Sequence, residues 1–116
     1  MLLVIGGRYS GKRTYVRSRG YGEADMGTDP AGPEPVLLWP EDRVRGHAPS
    51  DSELAQMLAK EVVVTCEVGA GVVPMDAGER VWRERAGRLQ ARLAEQADTV
   101  VRLVCGIPQV LKGEMS

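Results

Sequence analysis

The chain has no excess of basic charge. Fifteen Lys and Arg stand against sixteen Asp and Glu, for a net charge of −1, which argues against a dedicated nucleic-acid binder but leaves room for a local anion site. There is one histidine, His47, and no other ligand type sits beside it at metal-binding spacing. No apolar run approaches the roughly 20 residues of a membrane span. The N-terminus has no basic stretch before its short apolar run, so a secretory leader is not expected and a cytoplasmic location is. Phenylalanine is absent, and no repeat is visible. The two cysteines, Cys66 and Cys105, each close an apolar run; two buried, reduced thiols are the expectation.

What remains is the composition of a globular protein, 43% hydrophobic and 27% charged over 116 residues, enough for one domain with a modest core. Four apolar runs read as strands: Met1–Ile5, Val36–Trp39, Val62–Cys66 and Thr99–Cys105. They are nearly continuous rather than alternating, as parallel strands covered on both faces require. Helices are expected between them, over Lys12–Arg19, over Asp51–Lys60 behind a Ser50/Glu53 capping box, and over Ala77–Ala97. The last carries a stripe of Trp82, Ala86, Leu89, Leu93 and Ala97. This alternation implies an α/β fold with a parallel sheet. Residues 20–35, rich in Gly, Pro and acid, read as a loop with no packed structure of its own, partly disordered.

The first strand runs into Gly6-Gly7-Arg8-Tyr9-Ser10-Gly11-Lys12, which meets the G-x-x-x-x-G-K phosphate-loop pattern. Glycines let the backbone curl with its N–H groups turned inward, Lys12 adds a positive charge for the phosphates, and the helix beginning near Gly11 points its N-terminus at the same anion. The next position ordinarily supplies a Ser or Thr hydroxyl to Mg²⁺. Here it is Arg13, with Thr14 about 100° further round the helix. Arg13 therefore either holds phosphate in the ion's place or marks a site that does not turn over. A second constellation follows the third strand: Glu67, Gly69 and Gly71 stand just past its end, where parallel sheets bind ligands. An ordinary strand-to-helix loop would read the same way.

The order of motifs resembles one family. Gly6 to Lys12 is followed by Glu67-Val68-Gly69-Ala70-Gly71-Val72-Val73-Pro74, then Arg85-Ala86-Gly87-Arg88, Arg92-Leu93-Ala94, Ala97-Asp98 and Gly106-Ile107. This is similar to the adenosylcobinamide kinase / adenosylcobinamide-phosphate guanylyltransferase family of cobalamin biosynthesis, over residues 1–14 and about 61–107. The resemblance implies a P-loop NTPase (RecA-like) parallel sheet flanked by helices, and a homo-oligomer, a trimer. It implies GTP or ATP as phosphoryl donor to the hydroxyl of a cobinamide's aminopropanol arm, then transfer of GMP from GTP through a guanylylated histidine. By position, Gly6 to Thr14 would bind the nucleotide, Lys12 would act on its phosphates, and Glu67 would lie beside the site.

The chain also departs from that pattern. It is shortened in the middle, between residues 20 and 60, and Cys66 stands where the family has asparagine. The family's acid-bearing strand has as its counterpart Val36–Leu38, which runs into Trp39-Pro40 with Glu41 and Asp42 displaced beyond; either acid is a candidate metal ligand. Alternatively Arg43-Val44-Arg45-Gly46-His47 matches the segment of the nucleotidylated histidine, and the acid-bearing strand is missing altogether. Three readings follow: a compact kinase and/or guanylyltransferase, a degenerate binding module that regulates or assembles with a full-length enzyme, or a small oligomeric remnant that keeps the fold and has no ligand.

Overall fold

The computed structural model describes residues 1–68 and 76–114. Its centre is one six-stranded sheet built from β1 (Leu2–Gly6), β2 (Met26–Gly27), β3 (Val36–Leu38), β4 (Val62–Cys66), β5 (Thr99–Val104) and β6 (Ile107–Lys112). The strands lie in the order β2-β3-β4-β1-β5-β6. The first five are parallel, and β6 returns antiparallel on β5. Among the described residues three α-helices accompany them: α1 (Lys12–Ser18), α2 (Asp51–Leu58) and α3 (Ala77–Gln96). The α/β, P-loop type of fold read from the sequence is the fold observed.

The near-continuous apolar runs are explained by two covered faces. Leu3, Leu37, Val63 and Val100 point to one side and pack with Leu54 and Met57 of α2 and Ala86, Leu89 and Leu93 of α3. Val4, Val36, Leu38, Val62, Val64 and Leu103 point to the other and pack on Val16 of α1. Neighbouring residues of one strand thus belong to opposite layers, which requires an apolar residue at each position. The stripe on α3 faces the core as its spacing implies, with Trp82 partly buried at its N-terminal end.

Helix ends follow local chemistry. The Ser50 hydroxyl accepts the Glu53 N–H at 3.1 Å, and Asp76 caps α3 by accepting the Glu79 N–H at 2.7 Å. Gly20 stops α1 in the left-handed region, φ 102°.

Three expectations need correction. Residues 20–35 have packed structure: a 3₁₀ turn at Glu23–Asp25, then β2 paired with β3. Tyr21 and Met26 lie against the core, and Lys60 Nζ donates to the carbonyls of Gly32 and Glu34 at 2.6 and 2.7 Å. These contacts come from residues distant in sequence, so local composition did not announce them. Next, the sheet has six strands rather than the four read from the sequence, with β2 added at one edge and β6 paired with β5 as a hairpin at the other. Cys105 and Gly106 both take positive φ, 51° and 77°, the signature of a two-residue turn. Finally, Cys105 on that turn is exposed and Cys66 is half-buried, so neither is a core thiol. Among the described residues no helix is long and apolar enough to cross a membrane.

Leu89 is 1% exposed at the centre of the α3 layer. Leu89→Ala is expected to lower unfolding stability by about 2–5 kcal/mol in urea titrations. Ile107→Ala, at a position 69% exposed on the edge strand, is expected to change it by less than about 0.5 kcal/mol.

Candidate functional site

The loop between β1 and α1 sits at the C-terminal edge of the sheet, at its central strand. Its glycines are required by contact. A Cβ on Gly6 would stand 2.4 Å from Ser10 Oγ and 2.8 Å from the Leu103 carbonyl oxygen. Gly11 takes φ 89°, and a Cβ there would meet the Gly106 Cα at 3.3 Å. The hairpin turn therefore braces the loop, and the Gly106 N–H donates to the Ser10 carbonyl at 2.9 Å. Among the described residues the N–H groups of Arg8, Tyr9 and Gly11 have no acceptor.

Lys12 lies inside this loop. Its side chain is buried, and its ammonium donates to the Gly7 carbonyl at 2.5 Å and to Ser10 Oγ at 3.3 Å. It also stands 5.7 Å from the centroid of the Trp39 ring, within reach of a cation–π attraction. Trp39 follows β3 with φ 58°, and its N–H donates to the Val64 carbonyl at 2.8 Å. The left-handed turn and Pro40 end β3, start the 3₁₀ segment Pro40–Val44, and leave the indole beside Lys12.

The carboxylates near this edge are engaged elsewhere. Glu67 lies next to Gly6, whose carbonyl accepts its N–H at 2.9 Å. Its carboxylate receives Arg102 Nε at 2.5 Å and a second guanidinium nitrogen at 3.3 Å. The pair raises the Arg102 pKa through the hydrogen bond and the charge of Glu67. Arg102 escaped the sequence reading; the signal available was a lone cation inside the apolar run of β5. Glu41 is buried and turned inward, accepting from Thr65 Oγ1 at 2.6 Å and the Cys66 N–H at 3.4 Å. Gln90 completes the network, donating to Thr65 Oγ1 at 2.7 Å and the Cys66 carbonyl at 2.5 Å. Burial pushes the Glu41 pKa up, against the opposing bonds from Thr65 and the backbone. Asp42 faces outward, 3.9 Å from Arg45.

Arg13 is turned to Glu23, which it shares with Arg17, and Thr14 is exposed. His47 is exposed beyond the 3₁₀ segment, with Nδ1 2.9 Å from the Ala48 carbonyl oxygen. The stretch before it is held to α3: Trp82 Nε1 donates to the Glu41 carbonyl at 2.8 Å, and Arg45 stacks 4.0 Å from the Trp82 ring centroid. Gly69 to Pro74 of the second constellation lie outside the described residues. Nothing brings Glu41, Asp42 and a hydroxyl together around Lys12, and no cluster of three or more His, Cys, Asp or Glu suited to a metal occurs among the described residues. The donor set here does not fit a Mg²⁺ ion held in the usual phosphate-loop manner.

A family model described as "Cobinamide kinase / cobinamide phosphate guanyltransferase" matches residues 41–111, more than half of the chain. The match starts at Glu41, so the loop from Gly6 to Lys12 lies outside it. The bifunctional adenosylcobalamin biosynthesis protein CobU of Salmonella typhimurium is 48% identical over 54 residues, covering 47% of this chain and 30% of that protein. The bifunctional adenosylcobalamin biosynthesis protein CobP of Pseudomonas aeruginosa is 36% identical over 61 residues, 53% of this chain and 35% of that protein. The matched part of the chain thus spans about a third of the length of these relatives.

A raised pKa means that the fold prefers Glu41 protonated. Its contribution to stability is full below the ordinary glutamate value of about 4.3 and is lost as pH rises through the folded value. A carboxyl ¹³C titration is expected to place the Glu41 midpoint above those of exposed glutamates. Thr65→Val, which removes the main bond favouring the charged form, is expected to raise it further. A midpoint at or below the exposed ones would contradict this assignment.

Proposed function

The chain belongs to the cobinamide kinase / cobinamide phosphate guanyltransferase family, and on that premise we propose that its loop from Gly6 to Lys12 holds the triphosphate of GTP or ATP for phosphoryl or GMP transfer to a cobinamide. The observation that carries this reading is the position of Lys12, buried inside a glycine-framed loop with its ammonium on the Gly7 carbonyl. That carbonyl is a replaceable partner. An arriving phosphate oxygen offers the ammonium a stronger, charge-assisted bond. The free N–H groups of Arg8, Tyr9 and Gly11 are available to the same anion.

Phosphoryl transfer is mostly positioning and neutralisation of charge. In this reading Lys12 and the loop amides fix the phosphates, and the Glu67–Arg102 pair holds the neighbouring strand ends in register beside Gly6. The acceptor would be the hydroxyl of the cobinamide side arm. Mg²⁺ belongs to such reactions as a further neutraliser of phosphate charge, yet Arg13 occupies the position of its usual hydroxyl ligand. His47 as carrier of GMP would require the exposed segment 45–50 to approach the nucleotide. A cytoplasmic homo-oligomer, a trimer by family likeness, is part of the same proposal, as is a single nucleotide-binding domain over residues 1–116.

A second reading is a nucleotide- or phosphate-binding module that no longer turns over and that regulates or assembles with a full-length enzyme. The inward turn of Glu41 favours it, since this buried acid is bonded to Thr65 and the backbone rather than presented to the loop.

Calorimetric titration with GTP and with ATP tests the loop, and an assay with adenosylcobinamide then separates the two readings. Micromolar binding is expected, weakened at least about tenfold in Lys12→Ala by loss of one charged phosphate contact. Product formation supports the enzyme; binding without product supports the module. Binding unaffected by Lys12→Ala would remove the loop from both.

A further inference from the structure

We infer that the loop takes its phosphate ligand as a metal-free anion, with Arg8 supplying the second positive charge beside Lys12. The inference rests on the reading that this loop binds phosphate and adds how it neutralises the charge. A triphosphate brings several negative charges into a small volume. Phosphate loops ordinarily offset them with a lysine and a divalent ion held by a hydroxyl and an acid. Among the described residues each part of that ion's holder is missing or engaged. Arg13 occupies the hydroxyl position, and its guanidinium is paired with Glu23. The Ser10 hydroxyl is buried against Lys12 Nζ at 3.3 Å. Glu41 is bonded to Thr65 and Cys66, Glu67 to Arg102, and Asp42 is turned to Arg45. At the end of β3 the residue facing Lys12 is the uncharged Trp39.

The ring face of Trp39 is negative enough to hold an ammonium but offers no ligand to a cation such as Mg²⁺ in competition with water. The charge must then come from side chains. Arg13 and Arg17 share Glu23, Arg43 stands 3.6 Å from Glu53, Arg45 lies on Trp82, and Arg102 is tied to Glu67. Arg8 differs. It lies within the loop, between Gly7 and Tyr9, it is exposed, and among the described residues it has no carboxylate partner. Its neighbour Tyr9 is held at φ 62° with its side chain 95% exposed, so this part of the loop projects from the body and is not packed away. A guanidinium there is free to form the two-pronged contact to a phosphate that a lysine does not make. The recognised ligand class is a polyphosphate, free or on a nucleoside.

The test is calorimetric titration of the full chain with inorganic pyrophosphate and with GTP, each in excess Mg²⁺ and in excess EDTA. Affinity in EDTA is expected to match or exceed that in Mg²⁺ to within about threefold, since chelation by the ion removes charge that the side chains otherwise meet. Arg8→Gln is expected to weaken binding in EDTA by about tenfold, the worth of one charge-assisted phosphate contact. Arg17→Gln, which removes a nearby exposed cation outside the loop, is expected to change it by less than about twofold. Binding that appears only with Mg²⁺, or Arg8→Gln binding like the parent chain, would overturn the inference and leave the nucleotide reading standing. Absence of binding by both probes under both conditions would overturn the phosphate-loop reading and this inference with it.

Discussion

A buried ammonium group is the constraint around which this end of the molecule is arranged. Lys12 is 5% exposed, and an ammonium taken out of water is unfavourable unless it is partnered. The loop supplies the partners from its own backbone and from Ser10, and the far strand supplies a ring. That ring is available only because Trp39 adopts a left-handed backbone, φ 58°, a conformation that costs a bulky residue of order 1–3 kcal/mol. Its N–H bond to Val64 and the seat of its indole against the second core layer hold it there. Gly6 and Gly11 fit for a related reason, because the space a side chain would need is taken by Ser10, Leu103 and Gly106. The loop is thus shaped by β1, β3, β5 and the hairpin turn together, and not by its own seven residues alone.

Around that centre, charges are sorted into closed pairs. Glu67 with Arg102 ties β4 to β5 across the end of β1, and Glu23 gathers Arg13 and Arg17 on the outside of α1. Glu41, Thr65 and Gln90 form a buried chain of hydrogen bonds linking the 3₁₀ segment, β4 and α3. The acid that sequence reasoning offered to a metal therefore has a structural occupation, and burial raises its pKa despite the bonds from Thr65 and the backbone. In the proposed function, the loop and Lys12 carry the contacts to phosphate, while Glu41 and Glu67 are bonded to other residues.

The legible parts of the fold were those written locally. β4 was read with its observed limits because its five-residue run is flanked by charge at Glu61 and Glu67. α2 announced itself through Ser50 and Glu53, and α3 through its stripe. β6 was not legible. Its turn, Cys105-Gly106, lacks the Asn-Gly or Asp-Gly of a familiar hairpin, and its six residues are all exposed, so burial imprints no alternation. β2 is two residues long and exists through pairing with β3. Of the site, the glycines and Lys12 were visible as a motif. The Glu67–Arg102 pair, 35 residues apart, and the meeting of Lys12 with Trp39 depend on strand order, which local spacing does not carry.

In the proposed function, the Lys12 ammonium rests on the Gly7 carbonyl until a phosphate oxygen replaces it. A crystal structure of the chain grown with GTP tests it most directly. The account predicts phosphate density against the Arg8, Tyr9 and Gly11 amides, with Lys12 Nζ moved from the Gly7 carbonyl onto a phosphate oxygen. GTP bound elsewhere, with Lys12 still on Gly7, would contradict it.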